Sequence, residues 1–401
     1  MWKKVTLGDV CKIVNGGTPK SNVKMYWEGD VQWLTPKDMG KIEGKYVDLT
    51  ERQITKDGLN NSSAKLVPAN SVILSCRAPI GHVFINTIDM SFNQGCKGLV
   101  PTADIITEYL YYFLFSSKQL LNDLGTGTTF KEISGKTLAN VELLLPPIAE
   151  QQRIVAKLDA TFAEIDKAIE LNDKRTKEVK NLIAQSQNQL FLSIPETVSV
   201  MRLGDVAKFE NGDRGKNYPS KKYQIDEGIP FVNAGDFSLD GDIETQSMVY
   251  ISEERFNLLG AGKFKIDDVL FCLRGSLGKS AINKSIEIGA IASSLVILRA
   301  KQNIVSSDYL FAYIRSDIVK NLIVQTAGGA AQPNLSAKVV SNYEIAVPPL
   351  REQQRLTEKF WLIREHGLVA LDRISQKSQQ LIELKAAILS KELQRKESEA
   401  A

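Results

Sequence analysis

Side chains able to do covalent or acid–base chemistry are scarce in this chain and poorly spaced for it. There are two histidines in 401 residues, His82 and His366. Neither has a neighbour at the spacing a metal site needs. His366 falls inside a long helical pattern, where a packing role is expected. The four cysteines, Cys11, Cys76, Cys96 and Cys272, form no Cys-x-x-Cys pair. Neither a structural zinc nor a redox dithiol is expected, and a reduced cytoplasmic setting fits them. Gly275-Ser-Leu-Gly-Lys-Ser280 carries the tail of a phosphate-binding loop, but position 273 is leucine where the first glycine belongs. The pairs Pro146-Pro147 and Pro348-Pro349 share only their prolines with the Pro-Pro-aromatic signature of amino-methyltransferases. Leu145 and Val347 precede them, and Ile148 and Leu350 follow. The polar group and the aromatic ring that would hold an extruded base are missing. No glycine-rich dinucleotide loop follows a strand, and Asp267-Asp268 reads as a turn. The pattern points to binding rather than catalysis.

Composition frames that reading. An apolar fraction of 43% supports real cores, and 24% charged residues is ordinary. The length leads one to expect two or three domains. No run of 18 apolar residues occurs, so no transmembrane helix is expected. The first residues, Met1-Trp-Lys-Lys-Val-Thr-Leu-Gly-Asp9, lack the apolar centre of a signal peptide. A net charge of +3 neither demands nor excludes nucleic acid, because binding patches are local.

The elements that must position any site come in two copies. Leu144-Leu-Pro-Pro-Ile-Ala-Glu-Gln-Gln-Arg153 returns 202 residues later as Ala346-Val-Pro-Pro-Leu-Arg-Glu-Gln-Gln-Arg355. In each, a short apolar strand (141–145, 343–347) is expected to end at the double proline. The first proline drives its predecessor into an extended conformation. The second has a φ already suited to a helix start. Further matches run along the chain. Leu7-Gly-Asp-Val10 returns at Leu203–Val206, and 31–39 returns loosely at 229–237. Residues 71–81 return at 268–278 and 125–134 at 327–336, with offsets drifting only from 196 to 202. The expected organisation is a globule at 1–147, a helix at 148–192, a second globule at 193–349 and a second helix at 350–401.

Within the first globule, strands are expected at 31–34, 71–75, 82–85 and 98–100, separated by Gly/Pro/Asn turns. One helix, 106–124, is expected to bury Tyr109, Leu110, Phe113, Leu114 and Leu120. The long helix places Leu158, Phe162, Ile165, Ile169, Val179, Ile183 and Leu190 on alternating spacings of three and four, with Asn172, Thr176 and Ser186 interrupting. Its copy offers Phe360, Ile363, Ile374, Leu381, Leu384 and Ile388. Seams this long want another long helix, which each supplies for the other. The fold class expected is mixed α+β: two α/β globules in tandem repeat, separated by two long helices. Frame residues match between the copies while loop contents differ, Thr18-Pro-Lys20 against Arg214-Gly-Lys216 for example. That is what two related binding sites with different targets look like, and loop drift in a merely structural repeat would look similar.

Pro-Pro-x-x-Glu-Gln-Gln-Arg twice, with Leu-Gly-Asp-Val, Gly16-Gly-Thr-Pro19 and Trp33-Leu-Thr-Pro-Lys-Asp-Met39, resembles the specificity subunit of type I restriction–modification enzymes over essentially the whole chain. The resemblance implies a non-catalytic subunit whose two target-recognition domains each read half of a bipartite, asymmetric double-stranded DNA site. The helices would pair as an antiparallel coiled coil, act as spacer and dock two methylation subunits, with restriction subunits joining for cleavage and no membrane involved. The cofactors S-adenosylmethionine, ATP and magnesium would belong to those partners and none to this chain. The docking motif would comprise Pro146, Pro147, Glu150, Gln151, Gln152 and Arg153, with Pro348, Pro349, Glu352, Gln353, Gln354 and Arg355 in the second copy. DNA recognition needs phosphate anchors and base readers. The first domain offers Lys20, Lys37, Arg77, Lys97 and Lys131 for phosphate or guanine, and Asn93 and Gln94 for adenine edges. The second offers Asn211, Arg214, Lys216, Asn233, Arg274, Lys279, Gln332 and Asn334. Arg77 and Arg274 lead, because both leave the same strand. Two other classes stay open at this level: a stand-alone DNA methyltransferase or nuclease, and a non-catalytic coiled-coil scaffold.

Overall fold

A computed structural model describes residues 2–77, 79–127, 131–238, 240–246, 248–327 and 334–393. The chain divides into two units. Unit 1 is Met1–Asn172 with the segment from Gln376 onward, and unit 2 is Asp173–Ser375. Each unit therefore holds one globule and a part of both long helices.

In unit 1 a five-stranded sheet runs Cys11–Asn15, Cys96–Pro101, Val72–Cys76, Ile80–Asn86, Tyr46–Val47, antiparallel except for its last pair. A four-stranded sheet runs Gln53–Ile54, Trp27–Leu34, Met90–Phe92, Leu66–Val67. Lys3–Thr6 pairs with Glu142–Leu145, which ties the start of the globule to the strand that feeds the helix. Unit 2 repeats the plan. Ala207–Asn211, Leu295–Ala300, Val269–Cys272 and Ser280–Ile282 form the first sheet; Val249–Ile251, Ile229–Val232, Ile288–Ile291 and Lys263–Lys265 form the second. Val200–Arg202 pairs with Glu344–Ala346. The central strands are buried on both faces: residues 72–76 and 269–272 are apolar apart from one serine and wholly interior.

The helix expected at 106–124 is two helices, Thr107–Ser116 and Lys118–Leu124. Ser117 donates its hydroxyl to Phe113 O at 2.8 Å, a bond back into the preceding turn that favours a break. The break shifts the register. Tyr109, Leu110 and Leu114 are buried as expected, but Leu121 is interior and Leu120 is 47% exposed. Unit 2 breaks at the same place, into Ser307–Ile314 and Asp317–Thr326.

The long helices are Ile148–Leu192 and Leu350–Leu393. Each begins directly after its double proline, and Pro147 O and Pro349 O accept the first helical N–H bonds. In unit 1 Ile154, Leu158 and Phe162 share a core with Leu389 and Leu393. Lys157 and Arg153 meet Glu392, and Lys385 meets Asp166 at 2.7 Å. In unit 2 Phe191 packs with Leu356 and Phe360, and a Cβ on Gly367 would lie 2.3 Å from Ile183 Cδ1. The start of each helix thus lies against the end of the other, so the pair is antiparallel. The polar interruption at Asn172 is a buried hydrogen bond, 3.1 Å from Asn172 Nδ2 to Ser378 Oγ. Leu384 departs from the expected seam and is 48% exposed.

Gln151 and Gln353 are completely buried. Gln151 Oε1 accepts from Ile106 N at 2.8 Å, and its Nε2 donates to Asp104 O and Pro146 O, both at 2.9 Å. Gln353 makes the same three bonds, with Ser306 N, Ile304 O and Pro348 O, each at 2.9 Å. Tyr109 and Tyr309 donate their hydroxyls to Leu144 O and Ala346 O alongside. Replacing Gln151 or Gln353 by leucine strands three backbone groups, among them the buried carbonyl of Pro146 or Pro348. The expected loss is roughly 3–5 kcal/mol, a fall in Tm on the order of 10 °C, read by calorimetry of the full chain. Gln152→Leu, at an exposed position, is expected to change Tm by little.

Candidate nucleic-acid interface

The residues that suggested catalysis are used structurally. Burial pushes the Cys11 and Cys76 thiols up to about 12, and raises those of Cys96 and Cys272 as well. Burial, then Lys118, lowers the pKa of His82. His366 is exposed on its helix rather than packed, a departure from expectation. In the segment 275–280, Lys279 Nζ donates to Ala234 O at 2.9 Å, and a strand follows where a phosphate-binding loop would open a helix. Asp268, 1% exposed, is paired with Arg299 at 2.6 Å, and Asp267 with Lys284 at 2.8 Å. Among the described residues no group of three His, Cys, Asp or Glu side chains could hold a metal ion.

The DNA candidates divide by what their backbone surroundings require. In unit 2, Asn211, Arg214 and Arg274 line one concave site of about 760 Å3. Arg274 leaves the strand Val269–Cys272 and forms an antiparallel bridge with Asn334; Leu335 N donates to Leu273 O beneath it. Lys338, which sequence reasoning missed, lies on the same wall. The acids nearby are already committed. Glu210 accepts from Gly262 N at 2.9 Å. Asp213 accepts from Gly215 N and Gly260 N, and these backbone bonds hold its carboxyl below the usual range. The site thus sets three basic side chains, Arg214, Arg274 and Lys338, beside two carboxylates that backbone N–H groups hold in place. Lys216 is exposed beside it in sequence.

Unit 1 builds the same corner. Arg77 leaves the strand Val72–Cys76 and bridges Glu132, while Ile133 N donates to Cys76 O. Arg77 Nη1 lies 3.9 Å from Glu132 Oε2, with both side chains 43% exposed. A Cβ on Gly135 would meet Asn15 Oδ1 at 3.1 Å, which sets the missed Lys136 next to the strand end that matches Asn211. Lys20, Gln94 and Lys131 are exposed, and Gln94 contacts Thr18. Lys37 is exposed with Glu51 at 3.8 Å.

Four candidates are corrected. Lys97 enters the strand Cys96–Pro101 and is only 7% exposed, because the ladder with Asn15 and Leu74 begins earlier than its loop-like sequence suggests. Asn93 Oδ1 accepts from Gly95 N, and Asn233 Oδ1 accepts from Gly235 N while its Nδ2 donates to Asp236. Both amides cap turns. Lys279 is tied to Ala234 O as above. Gln332 lies outside the described residues. In the doubled motif Gln151 and Gln353 are interior. Its surface consists of the exposed Gln152 and Gln354 and the pairs Glu150–Arg153 and Glu352–Arg355, whose Nε–Oε2 distances are 2.8 Å.

The family model for the type I restriction modification DNA specificity domain matches residues 1–181 and 195–360. The chain belongs to the type I specificity-subunit family. The MjaIX specificity subunit of Methanocaldococcus jannaschii is 29% identical over 96% of this chain and 90% of its own. A chain solved in work on complex assembly and conformational transition of the type I restriction–modification system has a TM-score of 0.78 at 20% identity, covering 98% of this chain and 97% of that one. The HsdS subunit from Thermoanaerobacter tengcongensis has a TM-score of 0.57 at 19% identity, with the same coverage. The protein is the DNA sequence-specificity subunit of such a system, and the specificity subunit is itself non-catalytic. No helix among its described residues is long and apolar enough to cross a membrane. If Arg274 and Lys338 neutralise phosphates, Arg274→Ala and Lys338→Ala each reduce the slope of log affinity against log salt by about 1. Titration of the assembled complex on DNA at several salt concentrations reads that slope.

Proposed function

We propose that each unit reads one half of a bipartite double-stranded DNA site, through the corner where the strand-exit arginine meets its bridge partner. The observation that carries this is the repeated corner with changed chemistry. Arg77 faces Glu132 in unit 1, and Arg274 faces Asn334 in unit 2. An arginine beside a carboxylate is a poor phosphate anchor, since the acid repels the phosphate. It suits a base edge, where guanine accepts from arginine and cytosine donates to glutamate. Arg274 sits among Arg214, Lys338 and Asn334, a set that suits phosphate together with a purine edge. The recognition domains are 1–147 and 193–349, and the segments 148–192 and 350–401 hold them. Lys20, Lys131 and Lys216 supply further phosphate contacts. Two methylation subunits dock on the outward face of the doubled motif, at Gln152, Arg153, Gln354 and Arg355, and restriction subunits join that assembly. S-adenosylmethionine, ATP and magnesium act in those partners.

Arg77→Ala is expected to weaken recognition of one half-site by roughly 1–3 kcal/mol and to relax the sequence there, leaving the other half-site unchanged. Mapping methylated sites in cells that carry the variant and its methylation partner reads both halves. A loss uniform across sequences would make Arg77 a phosphate contact instead. Given S-adenosylmethionine, or ATP and magnesium, the purified chain alone should leave DNA unaltered; activity by itself would favour a self-sufficient enzyme.

The helices should set the gap between the half-sites. The units divide between Asn172 and Asp173 and between Ser375 and Gln376, so matched four-residue insertions there leave both cores intact. Four residues add roughly 6 Å of helix with little net rotation, equal to about one to two base pairs of duplex. The same methylation map should show a longer gap with both half-site sequences unchanged. An unchanged gap at full activity would mean that the helices are not the ruler.

A further inference from the structure

Outside the DNA corner, a charged contact ties each globule to its following helix, and its polarity reverses between the units. In unit 1 the loop turns at Gly44, φ +83°, and the next residue is Lys45. Its Nζ lies 2.6 Å from Asp159 Oδ1 on the first long helix, and the lysine side chain is only 18% exposed. Tyr112 donates its hydroxyl to the same carboxylate oxygen. In unit 2 the corresponding loop turns at Gly241, φ +86°, and the next residue is Asp242. Asp242 Oδ2 lies 2.6 Å from Nη2 of Arg364 on the second long helix, with the arginine side chain 15% exposed. Arg364 lies over Trp361, its Cζ 4.8 Å from the ring centroid. Lys45 and Asp242 stand 197 residues apart, inside the drift of the repeat. Their helical partners occupy repeat positions one turn apart. The place in the fold is the same, but the loop carries a cation in one half and an anion in the other.

Neither pair adds much by itself, because Asp159 and Asp242 are 42% and 62% exposed. The mismatched combinations matter more. Lys45 against Arg364 would set two cations together, beside Arg315, whose pKa burial and then Arg364 already depress. Asp242 against Asp159 would set two carboxylates together. We propose that the reversed pairs sort the recognition globules, so that each seats only on the helix of its own half and its DNA-reading face is held at a fixed angle to that helix. Discrimination of this kind comes from repulsion in the wrong pairing more than from attraction in the right one.

The test uses the full chain assembled with its methylation partner. In an exchanged chain, segments 2–147 and 193–349 trade places while both helices stay. With native helices its Tm is expected to fall by several degrees and methylation of its site at least tenfold. Adding Asp159→Arg and Arg364→Asp to the exchanged chain should restore much of both, although the same two substitutions in natural order should do harm. An exchanged chain as stable and active as the native one, or one that gains nothing from the helix substitutions, overturns the proposal. Should the exchanged chain fail to fold, the natural order decides. Asp242→Lys should lower Tm and weaken one half-site only, and Arg364→Asp on top of it should recover both. Equal losses in the single and double variants overturn it, since lost packing alone is not repaired by reversing charge.

Discussion

Everything else in the molecule depends on a buried carboxamide at the start of each long helix. A helix that opens after a double proline leaves its own first N–H groups and the carbonyls of the arriving strand to be satisfied. Gln151 and Gln353 each donate to the first proline's carbonyl and to one loop carbonyl, and accept one loop N–H, so they reach the Pro-Pro turn and a neighbouring loop of the globule at once. Glutamate could not donate, and asparagine is one methylene short. The adjoining Tyr109 and Tyr309 hydroxyls cover the next carbonyl along. Globule and helix are therefore joined by hydrogen bonds that tolerate little change of angle.

The near-neutral charge of the chain is the sum of many local pairings. Glu392 is only 7% exposed; burial raises its pKa, but Lys157 and Arg153 outweigh that and hold it below the usual carboxylate range. Asp268 and Arg299 are paired in the same way. In unit 2 three basic side chains, Arg214, Arg274 and Lys338, nevertheless line one concave site. Affinity for a polyanion needs only that local excess.

The two corners share one frame and differ in the chemistry they present. The strand exit, the bridge and the backbone bond below it are held in common. The side chain opposite the arginine differs, glutamate against asparagine, and so do the flanking loops. Such a change costs the fold little because both side chains are exposed, and it changes the hydrogen-bond pattern offered to a base.

The sequence alone determined the architecture: the duplication, the fold class and both helix starts, since prolines fix backbone torsions locally and the seam repeats for many turns. It also pointed to Arg77 and Arg274, because one strand exit occurred twice with an arginine at each. What it could not decide were positions governed by a partner distant in sequence. Lys97 looked like a loop residue until the ladder with Asn15 and Leu74 drew it into a strand. Asn93 and Asn233 looked like free amides until the turn that follows each claimed its oxygen. Gln151 and Gln353 looked like a docking surface until the loops at 104–106 and 304–306 closed over them. Lys136 and Lys338 went unnoticed although Ser-x-Lys recurs at the 202-residue offset; only folding brings those lysines to the arginine corner. Local torsion and periodicity are written along the chain, whereas burial and hydrogen-bond saturation depend on which distant segments meet, and that is decided in three dimensions.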